Sequence, residues 1–177
     1  MTELLQDTVR PHASAATMRL TQWMAPAAVA LRQEAADELC RRYNVPAVDP
    51  DPEPDVAVAM IVLSALVEGQ RVDVGAASII DVTGKYAQFE GPVVEVKRVF
   101  VRESFRGNGY SKMLLEEIER QARAYAQRPD KRGLRLVLET GTEQPEAIAL
   151  YEKLGYERMS GYGERSDQSV FFEVPLT

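Results

Sequence analysis

One unit in the middle of the chain constrains the fold more than any other feature: a strand, a glycine-containing turn, a helix and a second strand. Residues 93–101 are rich in β-branched side chains and predict the first strand. Residues 111–127 predict an amphipathic helix, and residues 134–140 predict the second strand. A unit of this kind places its two strands parallel and near each other in one sheet. The sequence therefore predicts an α/β (α+β) fold.

The turn between the first strand and the helix, Arg106-Gly107-Asn108-Gly109-Tyr110-Ser111, is typical of an anion site. The first N–H groups of a helix lack intrahelical partners and lie at the positive end of the helix dipole. Two glycines also let the backbone approach a ligand closely. The turn therefore predicts a phosphate site, with an ordinary glycine turn as the structural alternative.

The two common phosphate motifs do not describe this turn. A P-loop needs the pattern G-x-x-x-x-G-K-[ST], and a dinucleotide fingerprint needs G-x-G-x-x-G. Gly107 and Gly109 begin the second pattern, but Lys112 occupies the position of its third glycine. Neither template therefore fits the turn.

Composition and charge exclude several classes of function. The 177 residues suit one domain with a hydrophobic core, and the formal net charge of -6 argues against a nucleic-acid-binding surface. The longest apolar run, residues 56–67, is interrupted by Ser64 and is too short to span a bilayer. No secretory signal pattern is recognisable at the N-terminus. We therefore expect a cytoplasmic protein that binds neither nucleic acid nor membrane.

Cysteine and histidine usage argues against metal and disulfide chemistry. Cys40 is the single cysteine, which excludes an internal disulfide framework and a cysteine-based zinc site. The single histidine, His12, lies in a polar N-terminal stretch. We therefore expect no metal site.

The remaining segments predict a loose tail at residues 1–16 and a single domain over residues 17–177. An acidic, proline-rich connector at residues 49–55 predicts a solvated loop, or alternatively a rim that attracts a cationic amine. Gly75 predicts a bulge or a close backbone approach. Further strands are predicted at 18–23, 58–67, 71–82, 86–89, 156–159 and 169–174, and further helices at 25–42 and 145–154.

A second motif, Glu146-Ala147-Ile148-Ala149-Leu150-Tyr151-Glu152-Lys153-Leu154-Gly155-Tyr156, lies one unit beyond the turn. It resembles the A-x-x-L-Y-x-K-x-G-[FY] segment of the GNAT superfamily of N-acetyltransferases. The turn resembles the R-x-x-G-x-[GA] loop with which that family binds the acyl-CoA pyrophosphate, with Ser111 in place of the last small residue. The resemblance spans about residues 58–174 and favours the bacterial small-molecule branch.

The resemblance implies a mixed sheet of six to seven strands, about four helices and a splayed parallel strand pair. Acetyl-CoA, as co-substrate, would enter the gap between the splayed strands. Gln144 stands where many relatives have an asparagine, which puts that cofactor contact in doubt. The cofactor-binding residues implied are Val99, Phe100 and Val101 for pantetheine, Arg106, Gly107, Asn108, Gly109, Tyr110, Ser111 and Lys112 for pyrophosphate, and Gln144.

The resemblance also implies direct attack of an amine on the thioester, through a tetrahedral intermediate whose oxyanion the strand N–H near Val101 would stabilise. An alkyl amine has a pKa of about 10, so a base is useful, with Glu95 the first candidate and Glu139 the second. Both could instead bind substrate, or pair with Lys97 or Arg135. Tyr151 occupies the general-acid position, with a core aromatic as its structural alternative.

The acidic segments that would border the substrate pocket favour an acceptor that is a small cationic amine, such as an amino acid, a polyamine or an aminoglycoside. Two alternatives stay open: a non-catalytic acyl-CoA-binding sensor or partner module, and an acetyltransferase of protein N-termini or lysines. A homodimer is a family expectation that no sequence pattern encodes.

Overall fold

The computed structural model describes residues 16–48, 52–163 and 168–176. His12, residues 1–15 of the predicted tail and residues 49–51 of the connector lie outside the described residues. The helices are α1 (Pro26–Tyr43), α2 (Tyr110–Ala126) and α3 (Pro145–Lys153). The strands are β1 (Thr17–Leu20), β2 (Ala57–Val67), β3 (Gln70–Asp81), β4 (Val93–Val101), β5 (Arg135–Gly141), β6 (Glu157–Met159) and β7 (Ser169–Val174).

The seven strands form one mixed sheet in the order β1-β2-β3-β4-β5-β7-β6. Strands β4 and β5 pair in parallel, and the other neighbouring strands pair antiparallel. The predicted fold class is therefore confirmed, including the parallel pair that follows from the strand, helix, strand unit. Three α-helices and several single 3₁₀ turns lie in the described part of the chain.

Helices cover both faces of the sheet. Helix α2 packs on one face against β2, β3 and β4, as its predicted amphipathic character requires; its buried side chains are Tyr110, Leu114, Leu115, Ile118 and Ala122. Helix α1 packs on the other face, where Ala28 and Leu31 join Trp23, Met60 and Val62 in a second core cluster. We call these the α2 face and the α1 face.

Gly75 marks a close backbone approach, as its position in a strand predicts. A Cβ at this residue would lie 2.9 Å from the carbonyl oxygen of Phe100 on the neighbouring strand. The β2–β3 register also shifts between Leu63 and Ser64, opposite this region. The absence of a side chain therefore lets β3 and β4 approach each other at the end where β4 reaches its carboxyl terminus.

Two predicted elements differ in the structure. Residues 86–89 form a turn, in which the Phe89 N–H donates to the Tyr86 carbonyl, and not a strand. The rings of Tyr86 and Phe89 pack with Tyr162 on the α1 face. Burial of these aromatic side chains, and not strand pairing, therefore stabilises the segment. The connector contains a 3₁₀ turn at Pro54–Val56, because proline at the first helical position has no N–H to leave unsatisfied.

Asp81, at the end of β3, anchors the last turn of α2 through Tyr125 and the segment that follows α2 through Lys131. Burial alone would raise the pKa of Asp81, but hydrogen bonds from Lys131, Thr83 and Tyr125 outweigh it and hold the pKa well below its usual value. A depressed pKa stabilises the fold above the unfolded pKa of about 4, and this stability is lost as pH falls further.

We expect Asp81→Asn to lower the free energy of unfolding by about 2 kcal/mol at pH 7, because Asp81 accepts a charged hydrogen bond from Lys131. The loss should shrink when urea unfolding is repeated at about pH 3. An equal loss at both pH values would contradict the assigned role of the carboxylate charge.

Candidate active site

The parallel strands β4 and β5 separate partway along their length. Their pairing runs from Val93 opposite Arg135 to Val96 opposite Leu138. Strand β4 nevertheless continues to Val101 and β5 continues to Gly141. The residues beyond the pairing form a wedge-shaped gap between two adjacent parallel strands, which we call the strand gap.

A bulge in β4 accompanies the separation. Arg98 has a positive φ of 55°, and the β3–β4 register shifts between Ala76 and Ser78. One extra residue in β4 turns the following side chains to the opposite face and bends the strand. Residues 97–100 are half-buried, whereas residues 93–96 are buried. The backbone at Val99, Phe100 and Val101 therefore lines the side of the strand gap, as the resemblance implies.

The glycine turn lies beyond the carboxyl end of β4. Gly107 and Gly109 both have φ of 79°, a left-handed conformation that favours glycine, and a Cβ at either position would meet no atom within 4 Å. Gly109 caps α2 without a side-chain hydrogen bond. The first-turn N–H groups of Tyr110, Ser111 and Lys112 therefore lack intrahelical partners and border open space. This geometry fits a phosphate group.

Arg106 has a structural role in the turn. Its Nε donates to the Val101 carbonyl at 2.8 Å, its guanidinium pairs with Glu38 of α1, and its N–H donates to the Glu103 carbonyl. The side-chain amide of Asn108 similarly donates to the Phe105 carbonyl. Because these groups are engaged within the protein, residues 107–112 supply the backbone donors best placed for an anion.

Two further predicted cofactor residues lie at helix starts. The Lys112 ammonium is exposed and lies 3.6 Å from Glu116. Gln144 is half-buried at the N-cap of α3 and makes no side-chain capping bond. Its amide therefore remains available at the position where the family pattern has an asparagine.

Tyr151 lies on the α2 face, in the same core cluster as Val96 and Leu138, the last paired residues of β4 and β5. Its ring stacks on Tyr156 at 5.8 Å between centroids and contacts Phe172 at 5.6 Å. Burial raises the pKa of Tyr151 to about 12. The phenol therefore keeps its proton throughout the neutral and mildly alkaline range.

Glu95 lies on the opposite face of the sheet and is completely buried. Its carboxylate accepts hydrogen bonds from Tyr162 at 3.0 Å and Tyr86 at 3.4 Å, and it pairs with the Lys97 ammonium at 2.8 Å. Burial, followed by the nearby Glu95 charge, raises the pKa of Tyr162. The predicted alternative of a Glu95–Lys97 ion pair is therefore present.

Glu139 lies beside the strand gap on the α1 face. Its carboxylate accepts a hydrogen bond from Ser169 at 2.6 Å. Arg135, the other predicted partner, pairs instead with Glu173 at 2.6 Å on the neighbouring strand. Glu139 is thus held by a neutral hydroxyl, and it is half-buried.

Sequence reasoning missed Tyr86 and Tyr162 as partners of Glu95. Tyr162 stands between two glycines in a loop, and Tyr86 lies in a segment predicted as a strand. Neither position carries a motif, and the contact between Tyr162 and Glu95 joins residues 67 positions apart in the sequence. Only the packing of the loop on the α1 face brings these hydroxyls together.

The residues 16–48, 52–163 and 168–176 contain no cluster of three or more potential metal ligands. None of the helices in those segments is long and apolar enough to cross a membrane.

Comparison with known families matches residues 59–158 to the acetyltransferase (GNAT) domain. The chain belongs to the GNAT acetyltransferase family. The match contains the splayed strands, the glycine turn and Tyr151, so the predicted family is confirmed.

A curated relative, an IAA acetyltransferase of Azospirillum brasilense, is 42% identical over 90 residues, which are 49% of this chain and 54% of the relative. The match thus spans about half the length of that relative. A Klebsiella pneumoniae structure described as an acyl-CoA N-acyltransferase has a TM-score of 0.65 at 25% identity, covering 92% of this chain and 98% of that chain.

A Salmonella typhimurium structure, described as an acetyltransferase with its cofactor acetyl-CoA, covers 92% of this chain and 95% of its own. Its TM-score is 0.52 at 18% identity, so the likeness concerns the fold alone.

Proposed function

We propose that this GNAT protein transfers an acetyl group from acetyl-CoA to a small amine. The observation that carries the proposal is the strand gap, which opens directly beside a glycine turn with free N–H groups. An extended acyl donor with a pyrophosphate at one end matches the strand gap and the glycine turn beside it. The acetyl-CoA of the Salmonella relative supports the choice of donor.

The two proposed proton-transfer groups lie on opposite faces of the sheet. Tyr151 lies on the α2 face and Glu95 on the α1 face, near the point where β4 and β5 separate. Within this proposal, Glu95 takes up the proton of the attacking amine and Tyr151 protonates the departing thiolate. The N–H groups of the gap strands near Val101 stabilise the oxyanion.

The carboxylate beside the strand gap favours an amine as the acetyl acceptor. Glu139 borders the strand gap, and its carboxylate is held by Ser169 and not by a cation among the described residues. An amine or ammonium nitrogen is a suitable donor to such a carboxylate. The name of the Azospirillum relative also favours a small-molecule acceptor over a protein N-terminus or lysine.

The direct test is release of free thiol from acetyl-CoA, measured with purified protein against a panel of primary amines, amino acids and peptides. We expect amine-dependent release with at least one small amine. Stabilisation by acetyl-CoA without release by any compound would instead favour a non-catalytic acyl-CoA-binding module.

We expect Gly109→Ala to raise the KM for acetyl-CoA about tenfold and to change kcat little. The methyl group would project into the open space beside the turn, where the pyrophosphate would bind, and the left-handed φ would cost about 1 kcal/mol. Steady-state kinetics with varied acetyl-CoA would measure the effect.

Gly133→Ala is the matched control, because Gly133 also has a left-handed φ, of 74°, and precedes β5 at the end opposite the gap. A methyl group on Gly133 would likewise meet no atom within 4 Å. The variant should lose similar stability and keep the wild-type KM. An equal rise of KM in both variants would assign the effect to backbone strain alone.

A further inference from the structure

The hydroxyl of Tyr43, in the last turn of α1, is buried and has no hydrogen-bond partner among the residues that the structure describes. Burying a hydroxyl without a partner costs about 1–3 kcal/mol. Such a group is therefore a candidate for a hydrogen bond to a bound ligand.

The Tyr43 hydroxyl lies against Gly141, the last residue of β5, at the open end of the strand gap. A Cβ at Gly141 would overlap the hydroxyl, so glycine at this position makes room for the phenol. Arg42 fixes the end of α1 here by donating to the Glu143 carbonyl and pairing with Glu146. The phenol is thus held at the gap by neighbouring contacts, without using its own hydroxyl.

Two other polar groups share this site. Residues 139 and 141 of β5 point to the same face, because side chains alternate along a strand. Ser169 is the pairing partner of Gly141 on β7, and its hydroxyl donates to Glu139 at 2.6 Å. The site therefore combines the unpartnered phenol of Tyr43 with the carboxylate of Glu139, a residue that lies about 7 Å from Gly141 along β5.

We propose that Tyr43, Ser169 and Glu139 select an acceptor amine that carries a hydrogen-bond-accepting oxygen a few bonds from its nitrogen. Glu139, oriented by Ser169, binds the nitrogen, and Tyr43 donates to the oxygen. The inference rests on the proposed N-acetyltransferase activity and narrows its substrate class.

The test compares pairs of amines in which an ether oxygen of one replaces a methylene group of the other. 3-Methoxypropylamine is compared with pentylamine, and 2-methoxyethylamine with butylamine, by kcat/KM in the thiol-release assay. We expect the wild type to prefer the ether of at least one pair about tenfold, the worth of one hydrogen bond. Tyr43→Phe should remove that preference. The KM for acetyl-CoA should stay unchanged, and the melting temperature should stay unchanged or rise slightly.

Tyr125→Phe is the matched control. The Tyr125 hydroxyl donates to Asp81 at 2.8 Å, at the end of β3 and away from the gap. This variant should lower the melting temperature and keep the ether preference, which is the reverse of the pattern expected for Tyr43→Phe.

Several results would overturn the proposal: no ether preference in the wild type, an unchanged preference in Tyr43→Phe, or a change confined to the KM for acetyl-CoA. If no amine is acetylated, the proposed activity fails, and Tyr43 is tested separately by thermal shift with CoA present. There, 3-methoxypropylamine should stabilise the wild type more than pentylamine does, and the difference should vanish in Tyr43→Phe. Equal shifts in the wild type would overturn the inference.

Discussion

Tyr151→Phe is expected to lower kcat about 100-fold with the best amine of the screen, because it removes the proposed proton donor to the thiolate. Burial raises the pKa of Tyr151 to about 12, so the phenol is protonated over the whole usable pH range. If the wild type loses activity as the pH rises toward about 10, deprotonation of Tyr151 is not the cause. Tyr151→Phe should therefore lose activity over the same pH range. Acetyl-CoA affinity, measured by calorimetry, should stay within about twofold, since phenylalanine keeps the ring contacts with Tyr156 and Phe172.

Tyr156→Phe distinguishes chemistry from packing. Tyr156 lies in the same core cluster, and its hydroxyl donates to Glu119 at 2.8 Å. Its replacement should lower stability and leave kcat near the wild-type value. A normal rate in Tyr151→Phe would remove that phenol from the mechanism and leave it as a core aromatic.

Glu95→Gln is expected to lower kcat about 100-fold as well, because glutamine keeps the shape of the side chain but cannot accept the amine proton at neutral pH. Glu139→Gln should mainly raise the KM for the amine, since Glu139 is proposed to bind the acceptor.

Glu173→Gln is the matched control for Glu95→Gln. Glu173 is an ion-paired carboxylate on the same face of the sheet, held by Arg135 at 2.6 Å and facing Val137 in the strand register. Its variant should lose stability and keep kcat. If Glu139→Gln lowers kcat and Glu95→Gln does not, then Glu139 is the base and Glu95 binds the acceptor amine.

Local patterns predicted the parts of the site that depend on short-range chemistry. The β-branched run at 93–101, the two left-handed glycines and the helical spacing of 111–127 each impose a conformation on neighbouring residues. The order of these segments then dictates a parallel pair, because one helix must cross between the strands. The same local logic failed at residues 86–89, where tertiary burial of aromatic rings outweighed the strand pattern.

The sequence alone thus determined the glycine turn, the parallel strands around it and the helix that carries Tyr151, since glycine conformation and side-chain periodicity act over a few residues. Only the tertiary structure decided what surrounds the strand gap. The two tyrosine partners of Glu95 come from separate loops, and the Tyr43 hydroxyl meets Gly141 across about a hundred residues. These contacts depend on how α1 and the 160–163 loop pack on the sheet, and long-range packing leaves no periodic signal in the sequence.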